Sequence, residues 1–222
     1  MPLSASLAEW HHRRAKPTEI AMSTSTGAFT ILQRFAPPAP PNRLADSVLL
    51  IIDAQREYLD GQLALPGIGS ALAAGARLLA RARAAGTPVV HVLHRGAGPL
   101  FNPDTPAYRP LDEMQPLPGE SVVNKTLADA FAGTELQAVL AATGRQNLIV
   151  IGFMTHNCVS STVRAATGRG FRCSVVAPAC TTRPLPDGQG GVLSAELLNE
   201  ASLIGLSDTQ AAIVREVAAI PD

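Results

Sequence analysis

The sequence predicts an α/β fold, a doubly wound parallel sheet with helices on both faces. Three observations predict it. Short apolar runs alternate along the chain with stretches of helical period, the pattern of β–α–β units. The runs VLLII and LIVI carry no polar alternation, which marks strands buried on both faces. The chain has 222 residues, enough for one large domain with a full core or at most two small ones.

Residues 1–45 read as an N-terminal extension or arm, and residues 46–222 as the folded domain. Residues 8–27 are polar and aperiodic, His11 and His12 there read as solvated, and Met22 could be an alternative start. PPAPP at 37–41 is stiff and non-helical. Ala28–Phe35 reads as a short strand or arm that packs on the body or on a partner subunit.

The first buried strand is Val48–Ile52, with Asp53 at its carboxyl end and a polar loop over 55–61. Pro66-Gly67 and Gly69 break the chain before a helix over Ser70–Ala85, stopped by Gly86 and Pro88. Gly67-Ile68-Gly69 lacks a third glycine and does not follow the strand directly, so it is not a dinucleotide fingerprint. Pro88–Leu93 is the second strand. His91 and His94 are three apart, so on a strand they face opposite sides and cannot easily share a metal. Residues 95–120 are rich in Gly and Pro without periodicity; a loop of that length inside a domain is a lid, a binding loop or an oligomer contact.

Ser121–Asn124 is a third strand, with Lys125 just past its end. Thr134 and Gln137 suggest a capping box for a helix running to Ala142. Leu148–Ile151 is the fourth strand, ended by Gly152, and a turn over Phe153–Asn157 leads to Cys158. Val159, Val163 and Ala166 then fall on one helical face. Arg172–Ala177 is a fifth strand, and Ser194 caps a helix to Ile204. Over 207–220 the patterns conflict: Ser207 and Gln210 suggest a cap, whereas AAIV suggests a last strand.

Composition excludes several functions. Lys+Arg and Asp+Glu are both 18, so the formal net charge is zero, which gives no electrostatic case for nucleic acid or an acidic membrane. No apolar run reaches the length of a membrane span, and the N-terminus lacks a signal-like apolar region. Three cysteines, Cys158, Cys173 and Cys180, are no disulfide framework and suit a reducing compartment. The expectation is a cytoplasmic protein.

Asp53, Lys125 and Cys158 fall just beyond the carboxyl ends of three predicted strands, the edge where ligand crevices form in open α/β sheets. Each has an ordinary reading: a loop cap, a solvated charge, a buried small side chain. Together they supply an acid, a cation and a thiol, the parts of an activated nucleophile. A cysteine where a helix begins faces free amides and the positive dipole end, which would lower its pKa. Walker A, CxxC, HExxH and GxSxG patterns are absent.

The blocks LLIIDAQREY, VVNKTLADAFAGTEL and IVIGFMTHNCVSSTVRAAT, within residues 45–218, resemble the isochorismatase-like cysteine hydrolase superfamily, which includes nicotinamidases and N-carbamoylsarcosine amidohydrolase. The resemblance implies a single-domain, three-layer Rossmann-like fold with a six-stranded parallel sheet flanked by helices. It implies an Asp53–Lys125–Cys158 triad, a cis peptide at Phe153–Met154, and an oxyanion hole from the backbone N–H groups of Met154 and Cys158. Tyr58 matches a family aromatic position; with His94, Phe131 and Thr155 it completes the expected substrate-binding set. Nicotinamidases carry a metal-binding Asp-x-His near the second strand. Here His94 is followed by Arg95-Gly96-Ala97-Gly98, so no metal and no other cofactor is expected. The function implied is hydrolysis of a small amide, carbamoyl or ureido C–N bond through a thioester. The alternatives are a non-catalytic binding or scaffold member and an isochorismatase-type vinyl-ether hydrolase. The expected partners are a small-molecule substrate and, as in the family, further copies in a homodimer or homotetramer.

Overall fold

The computed structural model describes residues 27–35 and 40–222. The histidine pair, Met22 and most of PPAPP lie outside the described residues. Six parallel strands form one sheet: β1 (Ser47–Ile52), β2 (Val89–His94), β3 (Ser121–Lys125), β4 (Asn147–Phe153), β5 (Arg172–Thr181) and β6 (Ala211–Val214). Their spatial order is β3-β2-β1-β4-β5-β6. The chain runs outward from β1 to one edge, then returns to β4 on the other side of β1. Winding therefore reverses between β1 and β4, and a crevice opens beyond their carboxyl ends.

Alternate residues of the central strands feed two cores. Leu49 and Ile51 of β1, with Ile149, Ile151 and Phe153 of β4, pack against α1 (Ile68–Ala84) through Leu72, Leu78 and Leu79. Val48, Leu50, Ile52, Leu148 and Val150 face the opposite layer. That layer holds α2 (Leu136–Ala142), α3 (Ser160–Gly168) and α4 (Ala195–Ser207), which contribute Leu136, Leu140, Val163, Ala166, Leu203 and Leu206. All six residues of β1 are buried. Each large aliphatic side chain so placed contributes about 1.5–3 kcal/mol of transfer free energy, which is why this strand tolerates no polar alternation.

Several boundaries differ from the sequence reading. Gly152 does not end β4: it sits inside the strand at φ +124. A Cβ there would lie 2.0 Å from Ile52 O, so glycine lets β4 approach β1 where the site begins, and the pairing with β5 shifts register at this point. Strand β5 runs on to Thr181, and AAIV is indeed the last strand. The Thr134 capping box does not form. The α2 N-cap is Glu135, and Thr134 Oγ1 accepts from Leu136 N–H at 3.2 Å instead. Ala28–Phe35 is not a strand: Ile31–Phe35 is a short helix. It does pack on the body, where the N–H groups of Ile31 and Leu32 donate to Asp208.

Candidate active site

Asp53 follows β1 directly, at a φ of +50 that short polar side chains tolerate best among non-glycine residues. Its N–H donates to Val92 O at 2.8 Å, which carries the sheet's bonding one residue beyond the strand. Lys125 is the last residue of β3 rather than the first beyond it, and its register partner on β2 is His94. Partners on adjacent strands share a face, so the two side chains meet. The turn after β4, Thr155–Val159, is one wide π-type turn leading into α3, and Cys158 lies in it. The Phe153–Met154 peptide is cis.

These elements bring the three expected residues together. Lys125 Nζ lies 2.8 Å from Asp53 Oδ2, with both side chains fully buried. Its N–H groups point at His94 Nδ1 at 3.0 Å, Leu127 O at 3.0 Å and Cys158 Sγ at 3.3 Å. Three directed bonds use all three ammonium protons. Asp53 Oδ2, the nearest neighbour of Nζ, shares the same ammonium and takes its positive charge. Ligand atoms of Asp53, His94 and Cys158 lie within 4.8 Å of one another. That set could hold a metal by chemistry, but the cation among them is the Lys125 ammonium.

Burial dominates the acid–base behaviour. It raises the Asp53 carboxyl above its ordinary value against the opposing pull of Lys125. Burial and then the charge of Asp53 push the Cys158 thiol up to about 12, with Lys125 pulling the other way. The expectation of a lowered thiol pKa is therefore not met. Cys158 is only 3% exposed, and losing water outweighs what the turn and the ammonium give back. Burial, then Lys125, lowers His94 to about 4. It is neutral at pH 7 and, with Nδ1 accepting from Lys125, carries its proton on Nε2.

A cavity of about 400 Å³ opens above the sulfur, walled by Tyr58, Leu63, Phe101, Met154 and Asn157 with His94 at its side. Tyr58 packs edge-on against Phe101 and Phe153 at 5.2 and 5.9 Å between ring centres. A second, more polar cavity of about 600 Å³ shares His94 and Gly96 and is lined by Arg95, Asn102, Asp104 and Thr126. Residues 96–101, from the long Gly/Pro loop, wall the first cavity.

Tyr58 and His94 stand at the cavity as expected. Phe131 does not: it belongs to the opposite core, packed on Phe171 and under the Arg169 guanidinium at 4.7 Å. Sequence spacing from Lys125 does not reveal which face of the sheet a residue covers. Thr155 is fully buried, and its hydroxyl donates to Thr181 O at 3.0 Å. It ties the cysteine turn to β5 rather than lining the cavity.

Two buried polar side chains that the sequence reading left in a polar loop matter here. Gln55 holds the His94 backbone from both sides: Oε1 accepts from its N–H at 2.8 Å and Nε2 donates to its carbonyl at 3.0 Å. Glu57 accepts from the N–H groups of Gln62, Leu63 and Phe101 at 2.7, 3.3 and 3.1 Å, joining two walls of the cavity. The signal was present in QREY, where polar residues directly follow a buried strand, but nothing in the spacing says which turn inward. A third residue, Arg183, acts electrostatically on both Tyr58 and His156. Its buried Nε has no acceptor among the described residues.

Fold and site define a doubly wound α/β protein with a buried acid–cation–thiol cluster at its switch point. The isochorismatase domain matches residues 47–200, and the chain belongs to the isochorismatase family. It is 39% identical over 166 residues to a secreted isochorismatase effector, Isc1, of Verticillium dahliae, covering 73% of this chain and 85% of that protein. It is 35% identical over 176 residues to a streptothricin hydrolase of Streptomyces noursei, covering 78% of this chain and 69% of that one. It is 32% identical over 146 residues to a maleamate amidohydrolase of Pseudomonas putida, covering 58% of this chain and 68% of that one. The crystal structure of an isochorismatase from Pseudomonas putida KT2440 superposes with a TM-score of 0.83 at 39% identity, covering 87% of this chain and 99% of that one. No helix among the described residues is long and apolar enough to cross a membrane.

Proposed function

We propose that this protein is a cysteine hydrolase that cleaves the C–N bond of a small amide, carbamoyl or ureido compound. One observation carries the reading. A buried carboxylate and a thiol share one ammonium, 2.8 Å from the carboxylate oxygen and 3.3 Å from the sulfur, under an open cavity. The relatives named for hydrolysis of streptothricin and maleamate support the same chemistry.

The proposed steps use these residues in turn. Asp53 takes the Cys158 proton, and Lys125 faces the thiolate that forms. The sulfur attacks the substrate carbonyl carbon, and the N–H groups of Met154 and Cys158 hold the resulting oxyanion. Collapse breaks the C–N bond, with the leaving nitrogen taking the proton from Asp53. The same carboxylate then deprotonates a water that attacks the thioester, and the thiol is restored as the acid leaves. The transfer from sulfur to carboxylate leaves the net charge of the three residues at zero throughout. Burial penalises net charge, so the site reaches a thiolate without becoming a low-pKa thiol. The ammonium supplies the cation, so no step calls for a metal. Arg183, without an acidic partner among the described residues, suits a substrate that carries a carboxylate.

The test is ammonia or amine release from a panel of small primary amides, carbamoyl amino acids and ureido acids, with and without a chelator. The expected result is turnover on at least one class, undiminished by chelation and absent in Cys158→Ala. Turnover that survives Cys158→Ala would overturn the mechanism. A panel with no turnover, together with tight binding of one member, would favour the binding-scaffold alternative.

A further inference from the structure

We propose that His94 is a positioning residue for the reaction: by accepting one Lys125 N–H it keeps the ammonium within reach of the Cys158 sulfur and stops it from committing a further proton to Asp53. The proposal rests on the reading of Asp53 as the base. Lys125 Nζ has four neighbours for three protons: Asp53 Oδ2 at 2.8 Å, His94 Nδ1 at 3.0 Å, Leu127 O at 3.0 Å and Cys158 Sγ at 3.3 Å. The sulfur is the most distant of these and the softest acceptor. Left to energy alone, an ammonium proton would go to the carboxylate, since a charge-assisted bond to oxygen is about twice as strong as a neutral one. The ammonium sits closest to the carboxylate, at 2.8 Å, yet it also keeps the sulfur within hydrogen-bond reach at 3.3 Å.

His94 and Leu127 O explain it. They engage two of the three N–H directions, and the tetrahedral ammonium then has one direction left for the side where the sulfur and the carboxylate both lie. Leu127 O is a backbone group set by the turn after β3. The His94 ring is adjustable, and much holds it. Gln55 clamps its backbone on both sides, its strand register puts it opposite Lys125, and Phe101 packs on the ring at 4.9 Å. Remove the acceptor at Nδ1, and one ammonium proton becomes free to turn to Asp53 Oδ2. The carboxylate then loses basicity and the thiolate loses its partner. Both changes oppose transfer of the thiol proton.

The test needs no substrate. Iodoacetamide alkylation of Cys158 is followed peptide by peptide against pH in the wild type, His94→Asn and His94→Leu. Asn Oδ1 sits near the place of the histidine Nδ1 and keeps an acceptor; Leu keeps bulk without one. The titratable or charged groups facing the sulfur are Asp53, Lys125, His94 and Tyr58. Glu57 and Arg183 act on Tyr58 from behind. Thermal melts establish that each variant is folded. In the wild type, Cys158 is expected to react at neutral pH with a shallow pH dependence. In His94→Leu the neutral-pH rate is expected to fall roughly tenfold or more, as for loss of one hydrogen bond to a charged group. Its profile should rise steeply into the alkaline range. His94→Asn is expected to recover most of the rate and the shallow profile. Equal rates in the wild type and a folded His94→Leu would overturn the proposal, as would a His94→Asn no better than His94→Leu. Cys158 inert in the wild type would sink the base assignment and this proposal together. Reactive Cys158 with an unreactive amide panel would sink only the substrate reading. Should His94→Leu fail to fold, His94→Gln, whose longer side chain moves the acceptor off Lys125, serves in its place with the same expectations.

Discussion

Lys125→Met tests whether the ammonium is there to neutralise Asp53. Lys125 is among the largest fully buried side chains in the molecule, and methionine preserves its straight stem. The substitution leaves a carboxylate at 0% exposure with its counter-charge gone. Breaking a buried pair from one side costs about 3–5 kcal/mol. Asp53 has an escape, because burial already raises its pKa and it can take a proton. The cost at neutral pH is then capped by protonating a group whose unfolded pKa is ~3.9, at ~1.4 kcal/mol per pH unit, or about 4 kcal/mol. The sign follows from proton counting. In the variant, the folded state binds a proton that the unfolded state has released above its own pKa. The stability associated with it is therefore full in acid and lost as pH rises. The gap from wild type should be about 4 kcal/mol near neutrality and shrink to about 1.5 kcal/mol around pH ~5. Urea unfolding of both proteins across that range measures it. Asp53→Asn/Lys125→Met should remove the pH dependence of the gap. A gap that is the same at both pH values, or a double variant no better than Lys125→Met in the neutral range, would refute the electrostatic account.

Other consequences can be checked alongside. Gly152→Ala should cost roughly 2–5 kcal/mol and slow Cys158 alkylation, because the new Cβ meets Ile52 O at 2.0 Å on a left-handed backbone; a melting temperature within a degree or so of wild type would contradict it. Burial raises the Glu120 carboxyl, but bonds from Arg83, the Leu117 N–H and His91 outweigh it and hold the group at about 2 against an ordinary 4.5. Its stabilisation is thus present above 4.5 and lost as pH falls from 4.5 to about 2. Glu120→Gln should flatten that acid limb, at a cost on the order of 2 kcal/mol in neutral solution after allowance for solvent screening. Tyr58→Ala should cost about 3–5 kcal/mol as a buried aromatic truncation and raise KM more than it lowers kcat, since Tyr58 walls the cavity without touching the cluster's protons. Glu57→Ala should loosen both Leu63 and Phe101 and speed amide hydrogen exchange at Gln62, Leu63 and Phe101 together; exchange changed at one of the three alone would argue against a shared clasp.

How much of this was legible in the chain depended on what kind of force set it. The sheet was legible because burial on both faces forces unbroken apolar runs, as in VLLII and LIVI. Five strands and the switch-point edge followed, and AAIV was the one the local signals left ambiguous. Its neighbours Ser207 and Gln210 mimic a cap, and pairing with β5 overrides them. Asp53, Lys125 and Cys158 were legible because strand ends are visible and topology converts them into one edge. Phe131 misled because its role depends on which face of the sheet it covers, and that is fixed by a register no local pattern encodes. Thr155 misled because a hydroxyl in the turn that carries Cys158 serves equally well as a tie to the next strand. Gln55 and Glu57 went unread for a related reason. Their partners are backbone groups far along the chain, at His94, Tyr108 and Phe101, and no side-chain pattern announces a backbone acceptor.

The thiol pKa is the most instructive difference, because the sequence reading expected it lowered and burial raises it. A helix start and a lysine are reasons for a low thiol pKa only where water is present to be improved upon. At 3% exposure the comparison is with no water at all, and the thiolate alone is expensive. The site does not make a thiolate alone. In the proposed reaction one proton moves from sulfur to a carboxylate that burial has also made more basic. Both groups are raised by the same dehydration, so burial acts on proton donor and proton acceptor in the same direction. The shared ammonium then decides the remainder: Lys125 reaches both the carboxylate and the sulfur. A solvated triad would have to lower its thiol pKa to be reactive at neutral pH and would then titrate with the medium. A dry one can hold its reactivity nearly constant across the neutral range, as long as its three residues keep a net charge of zero and the ammonium stays within reach of the sulfur.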